Sequence, residues 1–390
     1  MSKPSDTSPK ISPSKHIKSM AGYIKTGEEI ASGINNRGPL ILTKNGKLHP
    51  DILEAYWKQG FYIFENVIDE REVKELRSDA NSMIERAPTE PGGLYDAKGR
   101  RALGRDFARE PYTFIKPLSD PWGGTALLNG RHPTKMNEPI PEKDAPEHVV
   151  HLMYGMCEAM PAALRVYGHP KLLAVAQSIN GKDFVPYNDA IFVKQPGLGG
   201  SVSWHQDGVT HWESPNWNEG IHGFNFQVQL YPTTPANSLW IVPGSHKEGK
   251  IDIKKLMSDN KGSDQVPGAM PLVCNPGSVT LVNRQMLHGS FANTSPDIRI
   301  SITFGFHRKT SVLGQKAALS MNGSNTVYDE KRIFERSAVI QVAIDARHQH
   351  FNDEPAFTYE PFAGLEDKHR FSEETFNKVI KDYNTKDLAI

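Results

Sequence analysis

The chain has 390 residues, with 45 Lys plus Arg against 45 Asp plus Glu, a length that allows one large core or two domains. Balanced charge supplies no overall field for nucleic acid or an anionic membrane, so neither is an expected partner. Two cysteines, Cys157 and Cys274, are too few for a disulfide framework and lack metal-site spacing, and no run of 18 apolar residues occurs; both features fit a cytoplasmic protein.

Residues 1–16 are rich in Ser, Pro and Lys with almost nothing to bury, so they read as disordered, with ordering from near His16. Residues 1–45 as a whole are expected as a largely disordered extension. Residues 51–59 and 69–87 read as helices around a strand at 61–67, the second helix charged on one side as a surface helix should be. From 88 to 145 the chain is rich in Gly, Pro and Arg with poor periodicity, which predicts a loop-rich insertion. Its Arg100, Arg101, Arg105 and Arg109 either bind an anionic group of a substrate or form a solvated face paired with Asp96, Asp106 and Glu110. Residues 146–180 read as a helical pair, with Pro170 near the start of the second helix.

Between 184 and 308 the pattern changes to short strands, at 189–194, 225–231, 238–242, 279–282 and 298–306, separated by Gly, Pro and Asn turns. Strands this short predict an antiparallel sandwich or barrel rather than a parallel α/β sheet. The expected organisation is one domain over 46–310 and a C-terminal extension over 311–390, in which 372–384 looks like a surface helix. No internal repeat is visible.

The most informative motif is His205-Gln206-Asp207, with His288 following 81 positions after Asp207 and Arg299 eleven after that. In an extended strand alternate side chains share a face, so His205 and Asp207 can reach one metal while Gln206 points away. Two histidines and a carboxylate are the donor set of a non-haem Fe(II) centre that keeps positions open. His49-Pro50-Asp51 has the same form, but it precedes an amphipathic stretch with the spacing of a helix start and reads as structural.

Several blocks together resemble the phytanoyl-CoA dioxygenase-like family of Fe(II)/2-oxoglutarate oxygenases. Trp204-His205-Gln206-Asp207 resembles the family's metal-binding strand, and Ile241-Val242-Pro243-Gly244-Ser245-His246-Lys247 its mid-barrel turn. His288-Gly289-Ser290, Asn293 and Arg299 resemble its distal segment, and the stretch from Tyr56 to Ile68 its helix, Gly, strand opening. The likeness covers about residues 50–308. Ordered co-occurrence of four blocks is a strong signal where any one is weak.

The resemblance implies a mainly β fold with flanking helices, a double-stranded β-helix (jelly-roll, cupin-like) barrel. It implies iron held by His205, Asp207 and His288, molecular oxygen, and 2-oxoglutarate as co-substrate, with hydroxylation of a small organic substrate and release of succinate and CO2. Related halogenases replace the carboxylate with a small residue, and Asp207 is retained here. Arg299 is the expected partner of the far carboxylate of 2-oxoglutarate, since guanidinium meets carboxylate bidentately. Ser301, two residues on, shares its face, and Ser290 and Gln206 resemble residues near the co-substrate.

For the substrate, the loop at 208–223 offers His211, Trp212 and Trp217 as a mouth lining or as ordinary packing. His222 and His307 lie beside the same mouth. His246 reads as architectural in its turn, Asn293 as a turn former, and His348 and His350 as a surface pair. Two other readings stay open: a cupin-like metalloenzyme that does not use 2-oxoglutarate, and a binding protein that kept the barrel without turnover. The last residues, Asp387 to Ile390, do not spell a Ser-Lys-Leu peroxisomal address.

Overall fold

The computed structural model describes residues 10–187, 189–208, 223–317 and 326–386. The chain opens with β1 (Lys10–Ile11), α1 (Pro13–Ile34), β2 (Arg37–Pro39), α2 (Pro50–Gln59), β3 (Phe61–Glu65) and α3 (Glu70–Glu85). The expected disorder over 1–45 is therefore corrected from Pro13 onward. Ser12 caps α1 by accepting from Lys15 N, Pro13 supplies a preset first turn, and Asn35 ends the helix in the left-handed region. Met20, Tyr23, Ile24, Gly27, Ala31 and Ile34 recur at helical spacing and form a narrow apolar stripe. Tyr23 stacks on Trp240 at 4.7 Å and donates to Val266 O at 2.8 Å. In α2, His49 caps the helix and accepts from Asp51 N, which makes the His49-Pro50-Asp51 motif structural.

The region from 88 to 145 contains only β4 (Tyr112–Ile115), β5 (Glu138–Pro139) and one short 3-10 turn. The next stretch starts as a strand, β6 (Val149–Met153), where a helix was expected; α4 (Met156–Ala159), α5 (Pro161–Tyr167) and α6 (Pro170–Asn180) follow. All five β6 residues are buried, because the strand is paired on both sides, with β4 and β8. A continuous apolar run has no alternation to distinguish it from a buried helix.

Nine further strands follow: β7 (Val185–Pro186), β8 (Ala190–Lys194), β9 (Val202–His205), β10 (Phe224–Gln229), β11 (Trp240–Ile241), then after α7 (Ile253–Asp259) β12 (Met270–Pro271), β13 (Val279–Asn283), β14 (His288–Ser290) and β15 (Arg299–His307). They complete a nine-stranded sheet, ordered β2-β3-β13-β10-β15-β8-β6-β4 with β7 beside β15, and a four-stranded sheet, β12-β11-β14-β9. The fold is mostly sheet with flanking helices. The expected barrel is present as two open sheets, since no described pairing closes them.

Period-two alternation sorts the large sheet into two faces. Phe224, Phe226 and Val228 of β10, Ile191 and Val193 of β8, and Ile300, Ile302, Phe304 and Phe306 of β15 face the main apolar core. Asn225, Gln227, Ala190, Phe192, Arg299 and Thr303 point the other way and line a cavity. The core face is covered by α5 and by α9 (Glu330–His350), which follows α8 (Lys309–Val312). From Arg336 to Ile344 every residue of α9 is buried. That all-round burial is why the C-terminal stretch shows no amphipathic pattern. The expected surface helix at 372–384 is instead α10 (Glu373–Thr375) and two further short turns, with Ile380 and Tyr383 fully buried. No described helix is long and apolar enough to cross a membrane.

Helices α5 and α9 meet closely just past the end of α5. A Cβ at Gly168 would lie 2.3 Å from Ala343 O and 2.4 Å from its carbonyl carbon, so backbone itself would have to move. Gly168→Ala is expected to destabilise the protein by about 1–3 kcal/mol, the range for overpacking a close-packed interior. Denaturant melts read this directly, and an unchanged midpoint would show that the two helices do not approach so closely.

Candidate metal centre and co-substrate pocket

Register decides the metal centre. β9 and β14 pair antiparallel with His288 directly opposite His205, and the ladder shifts between His288 and Ser290. Asp207 follows β9 by two residues, so two strand ends bring three donors together. The ligand atoms of His205, Asp207 and His288 all lie within 4.8 Å of one another. The two imidazole centroids are 4.0 Å apart, and His205 Nε2 lies 3.8 Å from Asp207 Oδ1.

Each ring is oriented by its other nitrogen. His205 Nδ1 lies 2.8 Å from Ser203 O and His288 Nδ1 2.9 Å from Met286 O. A carbonyl only accepts, so each Nδ1 carries the proton and each Nε2 keeps its lone pair for the shared point. Burial holds both rings below the ordinary histidine range, His205 further lowered by the neighbouring His288 and His132. Both are thus neutral, as a metal ligand must be. Burial alone would raise Asp207, but Arg131 and Arg284 outweigh it and hold the carboxyl below its usual range. The donor set fits iron.

Arg299 stands in the same cavity. The cavity, of about 270 Å³, is lined by the metal triad, Ser290, Gln227 and Arg299. Arg299 donates to Asn237 O at 3.2 Å, Gln227 Oε1 at 3.1 Å and Ser301 Oγ at 3.2 Å. All three are neutral, and among the described residues no carboxylate pairs with it. Burial brings its pKa down to about 10, so the guanidinium stays charged at neutral pH. A buried cation with no counterion is costly, and an anionic ligand is what this arrangement lacks.

Other expected residues fall elsewhere. Gln206, expected near the co-substrate, does not line the cavity: its amide donates to Gly249 O (2.9 Å) and Gln285 O (2.8 Å), while Ile251 N donates to its oxygen. Arg105 does not line the cavity and pairs with Glu110 at 3.0 Å. Arg100 pairs with Asp96 and Glu85, and Arg101 with Asp106, so most of that basic cluster is spent on local ion pairs. His211, Trp212, Trp217 and His222 lie outside the described residues. His307 is buried against Arg284 at 2.8 Å. His246 meets Trp57 O at 3.0 Å and Asn293 bridges Lys194 O, Gln195 O and Asp297 O. Both are architectural.

Sequence reading missed Arg131, which meets Asp207 Oδ1 at 2.7 Å, and Asn225, which donates to Asp207 Oδ2 at 3.0 Å. It also missed the aromatic wall of Trp122, Tyr154, Tyr187 and Phe192. Asn225 could have been found, since β10 alternation places it on the polar face. Arg131 could not, because a loop without periodicity gives no facing rule.

Residues 56–301 match the family model described as phytanoyl-CoA dioxygenase. The chain belongs to that family. A phytanoyl-CoA dioxygenase from Arabidopsis thaliana is 23% identical over 264 residues, covering 65% of this chain and 87% of the relative. A phytanoyl-CoA dioxygenase domain-containing protein 1 from Danio rerio is 24% identical over 178 residues, 42% of this chain and 58% of the relative. Among solved structures, EctD from S. alaskensis with 2-oxoglutarate and 5-hydroxyectoine aligns at a TM-score of 0.47 with 17% identity, over 70% of this chain and 82% of that one. Family membership makes the chain a non-haem Fe(II)/2-oxoglutarate oxygenase, and its triad and the buried Arg299 guanidinium suit both cofactors.

His288→Ala removes one of three donors from the end of a strand whose sheet is held by its own packing. The purified variant is expected to lose stoichiometric iron, measured by elemental analysis, while its melting temperature stays near wild type. Full iron occupancy would remove His288 from the ligand set.

Proposed function

We propose that the protein is an Fe(II)/2-oxoglutarate-dependent hydroxylase of a small organic molecule. The observation that carries this reading is Arg299, a buried guanidinium with no carboxylate partner among the described residues, in one cavity with two histidines and an aspartate. When bound, the metal and co-substrate supply oxygen activation, with one oxygen atom passing to the substrate and the other to succinate as CO2 leaves.

The chain's own residues divide the rest of the work. His205, Asp207 and His288 hold the metal. Arg299 anchors the distal carboxylate of the co-substrate, with the Ser301 hydroxyl fixing one edge of the guanidinium and Ser290 on the facing sheet adding a polar lining. Asp207 keeps a carboxylate where halide binding would need an open position, which favours hydroxylation. Substrate rests against Trp122, Tyr154, Tyr187 and Phe192, an apolar wall that orients a carbon centre and sheds water. A cavity of this size suits a compact substrate rather than a fatty acyl-CoA. The two cysteines, both buried and outside any disulfide among the described residues, fit a cytoplasmic setting.

Truncating one side of a shielded charge-assisted pair costs about 2–5 kcal/mol, roughly thirty-fold to several-thousand-fold in affinity. Arg299→Ala is therefore expected to raise the 2-oxoglutarate requirement by at least that lower factor with iron content unchanged. Arg299→Lys should recover only part of the loss, because an ammonium keeps the charge without the planar fork. Succinate formed per 2-oxoglutarate supplied is the readout, in parallel with a mass-spectrometric screen of metabolite pools for gain of one oxygen. Saturation of Arg299→Ala at the wild-type concentration would remove the anchor. No 2-oxoglutarate consumption by the iron-loaded wild type with any pool would overturn the function.

A further inference from the structure

Asp207 is gripped from two directions. Arg131 Nη1 donates to Oδ1 at 2.7 Å and Asn225 Nδ2 donates to Oδ2 at 3.0 Å, with Arg284 Nε a further 3.8 Å from Oδ2. A carboxylate only accepts, which fixes the Asn225 amide with its nitrogen toward Asp207. Asn225 comes from the large sheet. Arg131 comes from the region between β4 and β5, and the way that region is built shows that its position is imposed.

Residues 120 to 136 form a loop closed on a single buried carboxylate. Asp120 Oδ1 accepts from Gly123 N at 3.0 Å and Trp122 N at 3.3 Å at the loop's start, and Oδ2 accepts from Met136 N at 2.9 Å at its end. Ser203, on the strand that carries His205, also donates to Asp120 at 3.3 Å. A Cβ at Gly123 would sit 2.1 Å from Asp120 Oδ2, so the closure requires glycine there. Inside the loop Leu128, Asn129 and Gly130 are all left-handed, with φ of 52°, 58° and 66°, a conformation costly for leucine. That reversal delivers Arg131 to Asp207. The next residue, His132, packs its ring 4.2 Å from that of His205. A loop tied at both ends and backed onto a ligand strand acts as a rigid mount.

We propose that Arg131, opposed by Asn225, is a positioning residue that makes Asp207 a one-oxygen ligand. Each carboxylate oxygen has two in-plane lone pairs, and a donor on each oxygen occupies one of them, holds the group in one plane and opposes its turning to share both oxygens with a metal. The consequence is a count. With two imidazoles and one carboxylate oxygen holding a metal, room would remain for a keto acid that binds through two atoms. A chelating aspartate would consume a position that the co-substrate needs. The inference rests on the functional reading above.

The test uses Co(II), which reports its coordination in visible absorption, on wild type, Arg131→Met, Arg131→Lys and Asn225→Ala. Arg131→Met should bind Co(II) within about threefold of wild type or more tightly, since a repelling cation is removed and the three donors remain. Affinity of the Co(II)-loaded variant for 2-oxoglutarate should fall by about tenfold or more, the scale of one charge-assisted hydrogen bond. The spectral change on adding 2-oxoglutarate should shrink with it. Arg131→Lys should lie between, and Asn225→Ala, which strips the other oxygen from a different element, should repeat the pattern even where the loop of Arg131→Met does not fold. Wild type whose Co(II) band ignores 2-oxoglutarate overturns the functional reading. A responsive wild type with equally responsive Arg131→Met and Asn225→Ala overturns this inference alone. So does parallel loss of Co(II), 2-oxoglutarate and melting temperature in both variants, which would make the contacts ordinary packing.

Discussion

The antiparallel pairing of β9 with β14 is the constraint on which the site depends. It sets His288 across from His205, and because side chains alternate, a slip of one residue would turn His288 to the opposite face and remove it from the cluster. Residues 283 to 288 enter the ladder through a turn fixed by side chains rather than by sequence spacing alone. Asn283 Oδ1 accepts from Gln285 N at 2.9 Å, Leu287 N donates to Ser245 Oγ at 2.9 Å, and Gln206 braces Gln285 O from the metal strand. Gln206 therefore contributes to the centre by holding the approach of the second histidine, although its amide never reaches the cavity.

Charge in the neighbouring pocket follows a second constraint. On the large sheet Arg299 sits directly opposite Lys194, which would place two buried cations side by side. Lys194 donates to Gly200 O and Phe291 O, each at 2.6 Å, and burial followed by the nearby Arg299 pushes its pKa well below the ordinary lysine value. Arg299, whose pKa falls only to about 10, keeps its proton. Lys194 is thus a clamp that ties two loops, and Arg299 is the charged group that faces the cavity. A guanidinium is suited to the second task because it resists deprotonation in an apolar setting where an ammonium does not.

Much of this was legible in the sequence wherever a rule links spacing to facing. His205 and Asp207 come together as alternation predicts, His288 and Arg299 begin the last two strands, and α2, α3 and the five strands predicted between 189 and 306 lie within a few residues of where their patterns put them, while the short β12 was not foreseen. What was not legible shares a physical cause. The middle of helix α9 is buried all round and so shows no stripe, β6 is paired on both sides and so does not alternate, and Arg131 and His132 reach the centre from a loop whose path is set by a carboxylate and three left-handed residues. The Arg100 to Arg109 cluster misled for the opposite reason. Composition revealed the positive charge and not the acids that neutralise it.

The C-terminal segment belongs to the same structure as the site. Asp189, at the head of β8, lines the cavity and has its carboxylate satisfied from behind: Gly155 N and Met156 N donate to one oxygen at 3.0 and 3.2 Å, and the hydroxyl of Tyr383 donates to the other. Cys157 N in turn donates to the Tyr383 oxygen at 3.2 Å. Arg336 of α9 lies over the Tyr383 ring at 4.9 Å and donates to Tyr187 O at 3.2 Å, and Tyr187 is itself part of the aromatic wall. A buried carboxylate left without these donors would swing toward the cavity or take up a proton. Residues nearly two hundred positions downstream of β8 therefore set how polar the floor of the substrate cavity is. The extension beyond the strands backs that floor through the side chains of Tyr383 and Arg336, and none of its described residues lines the cavity.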